Sequence, residues 1–309
     1  YEAQERAMAQ FGFEESRFPF FRTLHSLAFK ELGMQRDEVM TNTHYRKFGK
    51  AMGIEFRGIY DENIGLHTGD GLGDKCSRIE SLARVGLRTI DQQMSITNVN
   101  DLNSHAVKQY NNSLISYKKE QGLYDFTDML EKYNSQLPVD VCIFDEAQDL
   151  SSAQYKMAIL AASLASEVYI AGDDDQAIFG WAGADVHKFL NLKGQKTTLP
   201  NSHRIPRKVH ALANDVASRI KNRYPKKWAP KKEEGEVHYV TNEQDIDFSI
   251  TGTWMLLSRS KYLLYRLKQA VRQQGFAYSM NAKSSLESVE TRAIIAWETI
   301  RKGKNISQH

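Results

Sequence analysis

Two short apolar runs that stop abruptly at acidic residues constrain this chain more than any other feature. Val139–Phe144 leads into Asp145-Glu146-Ala147-Gln148-Asp149, and Glu167–Ala171 (EVYIA) leads into Gly172-Asp173-Asp174-Asp175-Gln176. Runs this short, apolar without alternation, read as strands buried on both faces, the pattern of a parallel sheet. Helical spacing over 153–165 lies between them, so the segment predicts a strand–helix–strand unit and an α/β fold. In such units ligands collect at the carboxyl ends of the strands. If the two strands are neighbours, Asp145, Glu146, Asp173 and Gln176 meet there.

The flanking sequence adds helices around this unit. Residues 2–10 and 24–33 have helical spacing, with Leu24, Leu27, Ala28 and Leu32 on one face and Gly33 as a stop, and 117–133 has it again. From 36 to 116 the pattern is polar and mixed, and Gly65–Asp74 (GLHTGDGLGD) reads as a loop. Beyond the second strand, Thr197–Arg204 opens a turn that runs into a helix over 207–222. Trp254–Leu257 reads as a further buried strand, followed by a helix over 261–274, so the sheet is expected to continue in a second lobe. With 309 residues, two domains are expected.

Composition excludes several classes. The 41 basic and 38 acidic side chains leave a formal net charge of +3, too small a field to select a partner by itself. The two cysteines, Cys76 and Cys142, cannot frame a disulfide-stapled secreted domain and lie far from any Cys/His cluster that would bind zinc. No apolar stretch approaches the roughly 20 residues needed to cross a bilayer, and YEAQERAMAQ reads as a charged helix rather than a signal peptide.

Asp145-Glu146 at a strand end has the chemistry of a magnesium–nucleotide site: one carboxylate holds the metal, directly or through water, and its neighbour orients an attacking water. A bare acidic pair after a strand is more often an ordinary turn. Asp173 and Gln176 on the adjacent strand shift that balance, because a neutral amide beside a γ-phosphate can sense its presence.

With these residues in view, CIFDEAQDL (142–150) and AGDDDQAIFGWAGA (171–184) resemble motifs II and III of UvrD/Rep/PcrA-type superfamily-one DNA helicases. Other segments are similar to that family in the same order. RTLHSLAFKEL (22–32) resembles motif Ib, GLYDFTDML (122–130) the segment before motif II, and LPNSHRIP (199–206) motif IV. KKWAPKKEEGE (226–236) and the stretch 256–280 resemble the start of a second RecA-like lobe. The resemblance implies a RecA-like P-loop NTPase sheet with helices on both faces. Residues 1–35 and 117–199 would form the first lobe, 36–116 an inserted helical subdomain, and 200–309 the beginning of the second lobe.

The same resemblance implies ATP and Mg2+ as cofactors. Asp145 would bind magnesium with Glu146 beside it as catalytic base, Asp173 would face the cofactor, and Gln176 would couple the γ-phosphate to the DNA path. Arg204 would serve as an arginine finger, a part that contributes about 10³–10⁵ in rate, and His203 would stack on adenine where the family carries tyrosine. Single-stranded DNA, and single/double-strand junctions, would be the partner, met by Thr23, His25, Phe179, Trp181 and Arg259. A tryptophan between glycines can also be a core plug. Gly180 and Gly183 favour the stacking role, since they permit close approach of a ligand. The seven basic residues of Arg219–Lys232, interleaved with Tyr224 and Trp228, read as a solvated loop rather than a DNA patch.

The phosphate-binding motif G-x-x-x-x-G-K-[ST] is absent from the 309 residues. Gly69–Lys75 (GDGLGDK) imitates its composition, but no strand precedes it, so it reads as a loop. The expectation is therefore a fragment of a cytoplasmic, bacterial or phage-type ATP-dependent helicase moving 3′ to 5′, with its first strand and phosphate loop before residue 1 and motifs V and VI after residue 309. Two alternatives are a non-catalytic DNA-binding or assembly module of the same fold, and the helicase part of a RecB-like helicase–nuclease.

Overall fold

The computed structural model describes residues 2–12, 14–61, 64–97, 101–280 and 283–303, and its contacts divide the chain into two compact units. The first holds Tyr1–Ser202 and Ala213–Ala229, the second His203–Leu212 and Pro230–His309.

The first unit begins with α1 (Glu2–Phe11) and α2 (Leu24–Glu31). Thr23 caps α2, its Oγ1 accepting the Ser26 amide at 3.2 Å, and Gly33 ends the turn with φ 64°. Then follow α3 (Asn42–Met52), the two-residue hairpin strands β1 (Tyr60–Asp61) and β2 (Leu66–His67), α4 (Leu72–Val85), α5 (Ile90–Ile96), α6 (Ser104–Gln121) and α7 (Phe126–Lys132). The sheet strands β3 (Val141–Phe144) and β4 (Glu167–Ile170) flank α8 (Ser152–Ala161), and α9 (Val186–Leu190) comes after. Two cores hold this unit. Tyr45 and Phe48 from α3, Ile79 from α4, and Val107, Tyr110 and Leu114 from α6 pack these three helices together. Leu27, Ala28, Met129, Leu130, Met157 and Ala161 bind α2, α7 and α8.

β3 and β4 pair in parallel, Val141 opposite Glu167 through Phe144 opposite Ile170, as the two apolar runs predict. Their burial differs from expectation. β4 is exposed along its whole length, and Ile143 in β3 is 71 % exposed. The reason is that the sheet has two strands only among the described residues, so each strand pairs with one neighbour and little covers its faces.

Gly65–Asp74 is also more structured than a loop. Leu66–His67 is β2, and α4 starts at Leu72. Asp74, fully buried, supplies the reason: its Oδ2 accepts the backbone amides of Arg57 (2.8 Å), Gly58 (3.2 Å) and Gly71 (3.1 Å), which fixes the helix start.

An ion network that the sequence gives no sign of ties α4 to α6 and α7. Arg84 reaches Glu80, Asp125, Asp128 and Glu131 at 2.7–3.0 Å, and Lys118 reaches Asp125 at 2.5 Å and Asp128 at 2.7 Å. Burial pushes the Glu80 carboxyl up to about 7 despite the opposing pull of Arg84.

Chain order continues with α10 (Arg207–Ala217), α11 (Lys261–Gln273), the hairpin strands β5 (Ser279–Met280) and β6 (Lys283–Ser284), and α12 (Val289–Arg301). The second unit has a small core of Phe248, Ala270 and Val271. The strand expected at Trp254–Leu257 does not form: the segment has no regular secondary structure and pairs with no strand among the described residues, and Met255 and Leu257 are 81 % and 79 % exposed. Among the described residues no sheet beyond the β5–β6 hairpin continues into this unit. No helix among them is long and apolar enough to cross a membrane.

Candidate nucleotide and nucleic-acid sites

The parallel register brings the two acidic segments to one end of the sheet. Phe144 sits opposite Ile170, the Ala171 amide donates to Phe144 O at 2.8 Å, and the Ala147 amide to Ala171 O at 3.0 Å. Asp145 and Glu146 emerge there, both exposed. Glu146 takes a left-handed backbone (φ 51°, ψ 39°), a conformation that costs a non-glycine residue free energy and that recurs where a side chain must be aimed.

Gln148, which sequence reasoning passed over, joins the segments. It is 1 % exposed. Its Nε2 donates to Glu146 Oε2 at 2.8 Å, and its Oε1 accepts the Asp173 amide at 2.9 Å. Gly172 leaves room for it: a Cβ there would stand 2.6 Å from Gln148 Oε1. Gln176, one turn on, donates from Nε2 to Asp173 Oδ2 at 2.6 Å. Glu146, Gln148, Asp173 and Gln176 thus form one hydrogen-bonded chain across both strand ends.

The three aspartates after Gly172 have their own cations. Lys226 Nζ lies 2.7 Å from Asp173, 2.5 Å from Asp174 and 3.1 Å from Asp175, and Arg223 lies 2.5 Å from Asp175. The Tyr224 amide donates to Asp174 Oδ2 at 2.7 Å. Burial pulls the Asp173 carboxyl up, but its bonds from Lys226 and Gln176 outweigh that and leave it below the usual range. The expectation of a solvated basic loop fails for these two residues, because the Lys226 and Arg223 side chains are only 11 % and 22 % exposed.

The donor chemistry at the end of β3 suits a hard divalent cation, since the exposed Asp145 and Glu146 carboxylates each keep an oxygen beside the one that accepts the Glu146 amide or the Gln148 amide group. Among the described residues no group of three His, Cys, Asp or Glu side chains encloses a cation. Such an ion would keep water or substrate oxygens in its shell. Gly69–Lys75 is a poor phosphate cradle, because its Gly71, Gly73 and Lys75 amides already donate to Asp74 Oδ2, Glu55 O and Gly71 O.

A second site lies in the same unit. A cleft of about 330 Å³ is lined by Thr23, the cap of α2, and His25 within it, by Phe126 and Thr127 from α7, by Asp149 and by Phe179. It brings the DNA candidates Thr23 and His25 together with Phe179, more than 150 positions further along the chain. His25 packs edge-on against Phe126, ring centroids 5.6 Å apart, and burial lowers its pKa to about 4, so it is neutral at physiological pH. Asp149 is held above the usual carboxylate range by burial and by Glu146. Phe179 is 40 % exposed and Trp181 61 %. Gly180 is open, whereas the space beside Gly183 (φ 101°) is filled by Val85, which a Cβ would approach to 2.8 Å. Gly183 therefore serves the turn and its packing rather than ligand approach. His203 and Arg204, exposed ahead of α10, and Arg259, exposed ahead of α11, belong to the second unit.

Residues 1–197 match the UvrD/REP helicase N-terminal domain. The chain belongs to that family. Among its relatives, a probable DNA helicase of Mycoplasma pneumoniae is 28 % identical over 199 residues, covering 57 % of this chain and 35 % of that protein. The ATP-dependent DNA helicase Rep of Buchnera aphidicola is 27 % identical over 187 residues, 51 % of this chain and 28 % of its own length. The ATP-dependent DNA helicase PcrA of Leuconostoc citreum is 28 % identical over 167 residues, 52 % of this chain and 22 % of its own. The chain spans about a third or less of the length of these UvrD/Rep-family relatives.

Proposed function

We propose that this UvrD/Rep-family chain is the nucleotide-sensing and single-strand-binding part of an ATP-dependent DNA translocase, moving 3′ to 5′. The observation that supports it best is the continuous hydrogen-bonded path from Glu146 through Gln148 and Asp173 to Gln176, in the unit that also displays Phe179 and Trp181. In this reading β3 and β4 belong to a RecA-like sheet, with 36–116 inserted into the first lobe and the second lobe beginning near 200. Bound magnesium–ATP would supply a phosphoryl group activated for transfer to water. Asp145 would hold the metal, Glu146 would orient the water and take its proton, and Gln176 would register the γ-phosphate by its amide. His203 would stack on the base and Arg204 would stabilise charge in the transition state. Thr23, His25 and Arg259 would face the DNA backbone, while Phe179 and Trp181 stack on bases, worth about 1–3 kcal/mol per base and tolerant of sequence.

Two measurements test this. Trp181→Ala should weaken binding of a labelled oligothymidylate by about 5–100-fold, and unchanged affinity removes its role. Because G-x-x-x-x-G-K-[ST] does not occur in residues 1–309, the chain alone should show no ATPase above background. DNA-stimulated turnover that Glu146→Gln abolishes would overturn that expectation.

A further inference from the structure

The loop 173–185 carries Gln176 at one end and the exposed aromatic residues in its middle. Its far end is pinned to the turn after β3: Ser151 and Ala184 form a β-bridge, the Asp185 amide donates to Leu150 O at 2.9 Å, and Ser152 Oγ donates to Asp185 at 2.7 Å. Its near end is held by Gln148 and by the aspartates' bonds to residues 223–226. Between these anchors Ile178, Phe179 and Trp181 are 69 %, 40 % and 61 % exposed; a turn closed by the Ala182 and Ala184 amides on Phe179 O carries them, and the two anchored ends hold that turn in place together with the contact of Gly183 with Val85.

Resting on the DNA reading above, we infer that Lys226 and Arg223 are positioning residues for single-strand binding, acting through the three aspartates to hold the 173–185 loop in its base-stacking shape rather than by touching phosphate. The charge count supports it. Three carboxylates packed within reach of one another repel, and a cation among them is what lets Asp173 keep its bond to the Gln176 amide. An ammonium with three carboxylate partners has no proton left over for a phosphate. Asp174 is 4 % exposed at its side chain, so the bond cannot be replaced by water without opening the loop.

The contrast with a phosphate contact is measurable. Affinity of the chain for a fluorescein-labelled oligothymidylate is measured by anisotropy over a range of salt, for wild type, Lys226→Met, Lys226→Arg, Arg223→Gln, Trp181→Ala and the Trp181→Ala/Lys226→Met double variant. Lys226→Met is expected to lose about fivefold or more, with the slope of log affinity against log salt unchanged. A lysine on phosphate would instead reduce the slope by about 1. Lys226→Arg should restore most of the affinity, and the double variant should bind within about twofold of Trp181→Ala, because both changes act on one stacking platform.

Full affinity in Lys226→Met, or a slope reduced by about 1, overturns the inference while Trp181→Ala still tests stacking by itself. If Lys226→Met fails to fold by circular dichroism, Arg223→Gln decides, since Lys226 still balances the aspartates there: about twofold or more lost at constant slope supports the inference, and wild-type affinity overturns it. A wild-type chain without affinity, or Trp181→Ala binding as wild type, overturns the DNA reading itself.

Discussion

Replacing Lys118 by methionine removes the one ammonium between Asp125 and Asp128. The side chain is 7 % exposed, and its partners are 6 % and 12 % exposed, so water replaces little of what is lost. Taking one partner from a buried ion pair costs about 3–5 kcal/mol. Here each carboxylate keeps a guanidinium bond from Arg84 (2.9 Å to Asp125, 2.7 Å to Asp128) and one backbone amide, so the loss belongs at the low end, about 3 kcal/mol. At about 2–4 °C per kcal/mol this lowers the melting temperature by about 6–12 °C. Urea titration followed by far-ultraviolet circular dichroism measures it. Because the pair is buried, about 1 M salt should leave the difference between variant and wild type in place. A loss below about 1 kcal/mol, or one that salt erases, would mean that the pair behaves as a surface pair and that the network does not bind α4 and α6 to α7.

Two further outcomes follow from the same physical terms. Gln148→Leu keeps volume but strips the Asp173 amide of its acceptor and Glu146 of its donor; it should cost about 2–3 kcal/mol in the same titration, and a loss under about 0.5 would refute the bridging role. His67 lies buried among Tyr45, Phe56 and Tyr60, and burial chiefly lowers its pKa to about 4. Below 6.5 the unfolded chain takes up a proton that the folded one refuses until about pH 4, so stability falls on acidification through that window. His67→Phe should flatten this limb by up to about 3 kcal/mol, read from urea titrations at several pH values; an unchanged limb refutes the assignment.

The parts legible in the sequence are those written in local pattern. The runs ending at Phe144 and Ala171 give β3 and β4 and their shared end, and apolar spacing gives α2 and α11. What depends on distant partners could not be read. Trp254–Leu257 is as apolar as β4, yet it finds no strand to pair with. Asp74 looks like one more loop residue until three amides from two segments, Arg57-Gly58 and Gly71, converge on it. The Arg84 and Lys118 network joins residues up to 47 positions apart, and polar residues in helical stretches otherwise signal a wetted face. In the candidate site, Asp145, Glu146, Asp173 and Gln176 carry their chemistry in residue type and order. Gln148 has no such mark: its importance comes from being enclosed by Gly172 and Asp173.

The two-stranded β3–β4 ribbon has a practical consequence. Its outer backbone groups are unclaimed by any other strand among the described residues, and Val141, Ile143, Val168 and Tyr169 beside them are 45–71 % exposed. Such a rim is a template to which any extended peptide can add. The purified polypeptide would accordingly self-associate as it is concentrated, and short β-forming peptides supplied in excess would compete for that rim and keep it dispersed.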